Sequence, residues 1–161
     1  MLARELACKT VGYDNPDART LIEAVQQEYV LRYGGRDSTP IDVADFAPPR
    51  GLFVVGYLDG VAVACGGWRA HGSADPGFAD GDAEVKRMYV TPSARGTGCA
   101  RALLAELERT AVEAGRLRIV LETGVQQPEA IALYTSSGYA AIPAFGIYRD
   151  APGCRCFGKS L

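Results

Sequence analysis

Residues 84–104 read EVKRMYVTPSARGTGCARALL, and this stretch decides the fold. Glu84 to Val90 reads as a strand and Thr91 to Gly98 as a turn. A helix follows, in which Ala100, Leu103, Leu104, Leu107 and Ala111 recur at the 3.6-residue period until Gly115 ends it. In the turn, the small residues Gly96, Gly98 and Ala100 let an anion approach the backbone closely. The first-turn N–H groups lack helical partners, and the helix dipole favours negative charge there. Arg95 and Arg101 add cations that can pair with phosphate oxygens. Strand, glycine turn and helix together predict a pyrophosphate cradle. Two common cradles do not fit. No Gly-Lys-Ser/Thr occurs, which excludes the Walker pattern, and Arg101 stands where the dinucleotide fingerprint needs its third glycine.

Working outward, Leu52–Leu58 and Val61–Trp68 are apolar, β-branched runs separated by Asp59-Gly60, a strong hairpin signal. Residues 2–11 (Leu2, Leu6, Cys8, Val11) read as a first strand. Asn15-Pro16 then opens a helix carrying Leu21, Ile22, Val25, Tyr29 and Tyr33, and Gly34-Gly35 stops it. Residues 36–50, with Pro40, Pro48 and Pro49, form a loop with room for one helical turn, and residues 71–83 form another loop. Downstream, Leu117–Leu121 is a short continuous apolar run, as expected of a strand buried on both faces. Ala130–Ser137 reads as a helix, and Tyr139–Tyr148 and Cys154–Lys159 as two last strands around Pro152-Gly153. The predicted fold is α/β (α+β): a mixed, mostly antiparallel twisted sheet of six to seven strands with a central parallel pair, flanked by about four helices. The last strand is expected to be exposed and able to pair across a dimer.

At 161 residues the chain is read as a single domain spanning 1–161, large enough to bury a core without disulfides or a structural metal. Lys and Arg total 17 against 19 Asp and Glu, a net charge of −2 with no basic block, which argues against nucleic acid. No apolar run reaches the roughly 18–20 residues that span a bilayer. Met1–Glu5 shows no signal pattern. Five cysteines without a C-x-x-C pair, and one histidine, predict reduced thiols, no metal site and a cytoplasmic protein.

Residues 84–104 resemble the GCN5-related N-acetyltransferases (GNAT). Arg95, Gly98 and Ala100 match their acetyl-CoA signature [RQ]-x-x-G-x-[GA]. The strand Glu84–Val90 followed by Pro92, and Ala130-x-x-Leu133-Tyr134 followed by Gly138-Tyr139, also look like theirs, in the same order. The resemblance is closest over residues 52–148. It implies that the backbone of Met88, Tyr89 and Val90 bonds the pantetheine arm where the strand bulges and splays, with an amide at or beside Val90 polarising the thioester carbonyl. It implies that Arg95, Gly96, Thr97, Gly98, Cys99, Ala100 and Arg101 hold the pyrophosphate. Tyr134 would protonate the departing thiolate, and Glu84 would accept the amine's proton. Gln127 stands three residues before the motif alanine Ala130, where the family often has asparagine, so an amide is kept with a longer reach.

The implied activity is direct acetyl transfer from acetyl-CoA, without a metal, to the amine of a small-molecule or amino-acid-like acceptor, by a monomer or homodimer. Rival readings are a protein or peptide N-acetyltransferase and a non-catalytic CoA sensor. Expected acceptor walls are Glu28, Tyr29, Arg32, Tyr33 and Phe46, the 71–83 loop and residues 143–149. Asp75, Asp80 and Asp82 could attract an amine, and Arg50, Arg69 and Arg149 a carboxylate. His71 reads as a solvated loop residue. Glu122-Thr123-Gly124 closes a buried strand, either as a simple cap or, because strand C-terminal ends border clefts in such sheets, as a cleft wall.

Overall fold

The computed structural model describes residues 5–161, so Leu2 of the expected first strand lies outside the described residues. Seven strands form one sheet: β1 (Ala7–Val11), β2 (Gly51–Leu58), β3 (Val61–His71), β4 (Asp82–Val90), β5 (Arg118–Gly124), β6 (Ala140–Ala141) and β7 (Cys154–Ser160). Their order is β1-β2-β3-β4-β5-β7-β6, and every pair is antiparallel except β4 with β5. Three α-helices flank the sheet: α1 (Pro16–Tyr33), α2 (Cys99–Glu113) and α3 (Pro128–Ser136). No helix among the described residues is long and apolar enough to cross a membrane.

Local chemistry accounts for most boundaries. The Asn15 side chain accepts from the Asp17 and Ala18 amides, Pro16 takes the first helical position of α1, and Gly34 ends the helix at φ 79°. Asp59 (φ 48°) and Gly60 (φ 80°) both occupy the left-handed region that a two-residue hairpin turn requires. Strand alternation then sorts the core into two layers. Val54, Ala64 and Val85 meet Leu103, Leu104, Leu107 and Tyr134 of α2 and α3, while Phe53, Val55 and Cys65 meet Ala18, Leu21 and Phe46 on the other face. Each fully buried leucine of α2 contributes about 1.5–3 kcal/mol relative to exposure.

Three expectations are corrected. The helices number three among the described residues, not about four, because Val43–Phe46 and Pro92–Ala94 form only single 3₁₀ turns. The expected strand 139–148 shrinks to Ala140–Ala141. Pro143 has no N–H for a ladder, Gly146 bends the chain at φ 78°, and Phe145 turns in to pack with Val120 and Cys156. Finally, β7 is not an exposed edge: it lies between β5 and β6.

Candidate active site

The site begins where the parallel pair ends. β4 and β5 are in register from Asp82↔Arg118 to Val85↔Leu121 and part company beyond that point. The divergence starts at a bulge against β3, where Cys65 faces Tyr89 and Gly67 faces Lys86. Arg87 sits in the bulge at φ 60°, a left-handed conformation that costs a non-glycine residue about 1–2 kcal/mol. Its carbonyl accepts from the buried Cys65 thiol at 3.3 Å, and its guanidinium is tied to Asp37.

Below the bulge, a cavity of about 360 Å³ holds eleven of the twelve residues expected at the acetyl-CoA site: Met88, Tyr89, Val90, Arg95, Gly96, Gly98, Cys99, Ala100, Arg101, Gln127 and Ala130. Thr97 does not line it. Its hydroxyl bonds the Ala94 carbonyl and shapes the turn. Gly96 and Gly98 take φ 77° and 86°, and a Cβ at either would point into open space. No side chain caps α2, in contrast to α1. A helix N-terminus left bare behind two left-handed glycines fits a pyrophosphate. Arg95 spans the Val90 carbonyl (3.0 Å) and Glu28 (2.9 Å), and Arg101 bonds the Ser136 and Ser137 hydroxyls.

A second cavity of about 540 Å³ adjoins the first, sharing Met88, Gln127, Ala130 and Tyr134 with it. Tyr134 projects from α3 and is 7% exposed. Burial pushes its phenol up to about 12, so it stays protonated at neutral pH, and its hydroxyl lies 3.9 Å from the Met88 sulfur. Glu122 lines the same cavity from β5, and burial raises its carboxyl to about 7 against the opposing pull of Lys86. Among the described residues no amide, hydroxyl or cation bonds this carboxylate. Gly146 comes so close that a Cβ there would lie 3.2 Å from Glu122 Oε2. Two lining residues are joined where the Ser38 amide donates to the Tyr148 hydroxyl at 2.7 Å.

Glu84 lies elsewhere. It is 4% exposed, absent from both cavity walls, and bonded at 2.9 Å to Arg69 Nε and to His71 Nε2. Burial alone would raise its pKa, but the His71 bond together with Lys86 and Arg69 holds it below the usual carboxylate range. His71 is not a solvated loop residue: it stacks on Phe78 at 3.7 Å and also bonds Asp75. Of the expected acceptor walls, Tyr29, Tyr33 and Tyr148 line the larger cavity, while Glu28 lines the smaller and Phe46 is in the core. Arg32 pairs with Glu28 and Glu129. The 71–83 loop contributes nothing to either wall. Asp75, Asp80 and Asp82 are engaged by His71, Ser73 and Arg118 respectively, and Arg50, Arg69 and Arg149 line neither cavity. Gln127, expected to reach the CoA arm, lines both cavities, and its Oε1 accepts from the Tyr33 hydroxyl at 3.0 Å. Sequence reasoning gave Glu122 no catalytic role; its only signal was its place at the C-terminal end of the buried strand.

A strand pair that separates beside a bare, glycine-led helix N-terminus is the arrangement expected of an acyltransferase. The chain belongs to the acetyltransferase (GNAT) family, whose profile matches residues 18–139, and it is an N-acetyltransferase. An IAA acetyltransferase of Azospirillum brasilense is 36% identical over 132 residues, 82% of each chain. A structure from Klebsiella pneumoniae, assigned as an acyl-CoA N-acyltransferase, has a TM-score of 0.78 and 28% identity over 97% of both chains. An N-acetyltransferase of Thermoplasma acidophilum, solved with coenzyme A, has a TM-score of 0.71 and 15% identity, covering 98% of this chain and 99% of that one.

Proposed function

We propose that the chain transfers the acetyl group of acetyl-CoA directly to the amine of a small acceptor bound in the 540 Å³ cavity. One observation carries this reading: the larger cavity meets the glycine-led one at Tyr134, and Glu122 lines it with a carboxyl that no amide, hydroxyl or cation among the described residues bonds. Glu122, rather than Glu84, is then the base. At neutral pH its pKa of about 7 matches the task of taking a proton from an attacking amine. The nitrogen–carbon bond forms as the carbon–sulfur bond breaks, and the Tyr134 phenol gives its proton to the departing sulfur. Glu84 serves the scaffold, neutralised by Arg69 and His71.

A volume of about 540 Å³ supports a small acceptor, because it falls in the range of small-molecule pockets. The name of the Azospirillum relative points the same way. Acetyl-CoA binding by calorimetry, followed by thiol release against amines, amino acids and peptides, tests the reading. Release with small amines or amino acids is expected. Release with peptides alone would overturn the acceptor class, binding without release on any acceptor would mark a CoA sensor, and no binding would overturn the cradle.

A further inference from the structure

Lys86 and Arg87 are consecutive on β4, and in a regular strand their side chains would point to opposite faces. The bulge at Arg87 abolishes that alternation. Lys86 Nζ (2.8 Å) and Arg87 Nη1 (2.5 Å) converge on one oxygen of Asp37, although both residues are more than nine-tenths buried. The other Asp37 oxygen accepts from the Thr39 amide at 2.9 Å and the Thr39 hydroxyl at 2.6 Å. A carboxylate offers about four acceptor positions, and these four bonds fill them. Two buried cations therefore share one saturated anion, and Arg87 Nε is buried without any partner. Counting only the groups bonded to one another, Lys86, Arg87 and Asp37 carry one net positive charge, which Glu84 and Glu122 offset through space without a bond to either cation. The cluster also lines the 540 Å³ cavity, as does Glu122.

We propose that Lys86 and Arg87 form an anion subsite, and that the acceptor is an amine bearing a carboxylate, of the α-amino-acid type. This rests on reading the cavity as the acceptor site. Carboxylate and amine then meet opposite partners: Lys86 and Arg87 take the anion, and Glu122 receives the amine's proton. Tyr29, Tyr33 and Tyr148 are left to contact the side chain. Asp37 is the positioning residue that holds both cations toward the cavity.

The test separates binding from turnover. Twenty amino acids, their carboxamides and their decarboxylated amines are compared as acceptors by thiol release. In parallel, unreactive des-amino carboxylates such as 3-phenylpropionate are compared with their neutral amides by calorimetry. The free acids should exceed both neutralised forms by about tenfold or more in kcat/KM, chiefly through KM. Lys86→Met should erase most of that preference, and Arg87→Lys, which keeps the charge, should retain part of it. Lys86-dependent binding of the des-amino acids without turnover of any amine would uphold the subsite while overturning the acetyl-transfer reading. Equal or better use of the amides and plain amines by the unaltered protein, or no binding of any carboxylate, would overturn the subsite.

Discussion

Glu122→Gln is the perturbation that separates a catalytic base from a buried structural carboxylate. Burial moves this carboxyl from 4.5 to about 7, so its ionised form is disfavoured in the folded protein by about 3 kcal/mol at ~1.36 kcal/mol per pH unit. Glu122 is only half-buried, and solvent in the cavity reduces the stability effect to about 1–2 kcal/mol. The sign follows from proton counts. Between pH 4.5 and about 7 the unfolded chain has released this proton and the folded chain still holds it, so stability falls as pH rises. Glutamine keeps the shape and never ionises. At pH 8 the variant should therefore unfold at a temperature higher by about 2–8 °C, and at pH 4 the two proteins should match. Its acetyl transfer should drop by about 10²–10⁴. Log kcat/KM of the unaltered protein should carry one unit of slope below pH about 7 that the variant lacks. The paired assays are thermal melts across pH 4–8 and initial-rate thiol release on one acceptor. A variant with unchanged rate would refute the catalytic role, and a stability difference independent of pH would refute the raised pKa on which that role is built.

Tyr134→Phe should lower turnover by about 10²-fold or more while leaving acetyl-CoA affinity within about twofold, measured by rates and calorimetry side by side; equal loss of both would remove the acid role. Gly98→Glu should abolish acetyl-CoA binding, since it forces a side chain onto φ 86° and sets a carboxylate at the bare N-terminus of α2; unchanged calorimetry would refute the cradle. His71 is desolvated, but its bonds to Glu84 and Asp75 win and raise its pKa above 6.5. Its contribution is thus complete below pH 6.5 and lost as pH rises through the raised folded value. His71→Gln should flatten that part of the stability–pH curve, and an unaltered curve would show that the charge on His71 does not stabilise the fold.

Elements built by neighbours in sequence were legible. Asn15-Pro16 and Gly34 bound α1, Asp59-Gly60 makes the hairpin, and the Gly96–Ala100 turn opens α2 as its spacing indicates. The strand expected over 139–148 was misread because its apolar residues gain more by packing Phe145 on Val120 and Cys156 than a ladder interrupted at Pro143 would return. The site was half legible. Eleven of the twelve expected cofactor residues line the 360 Å³ cavity together, and Tyr134 stands where it adjoins the 540 Å³ cavity.

By itself the sequence determined most of the order of elements, the glycine turn that opens α2 and the place of Tyr134 on α3, because helix caps, tight turns and the 3.6-residue period act over a few residues and leave local marks. Tertiary structure decided which carboxylate lines the cavity. Glu84 and Glu122 are both strand residues; Glu84 pairs in parallel register with Val120, two residues before Glu122. That register places Glu84 between Arg69 and His71 and leaves Glu122 just past the last parallel pair, in the opening. Register between strands more than thirty residues apart is set by the packing of the whole core, and a one-residue slip would turn every side chain to the other face. The meeting of Lys86 and Arg87 on Asp37 likewise required a bulge, which exists only where β3 and β4 pair.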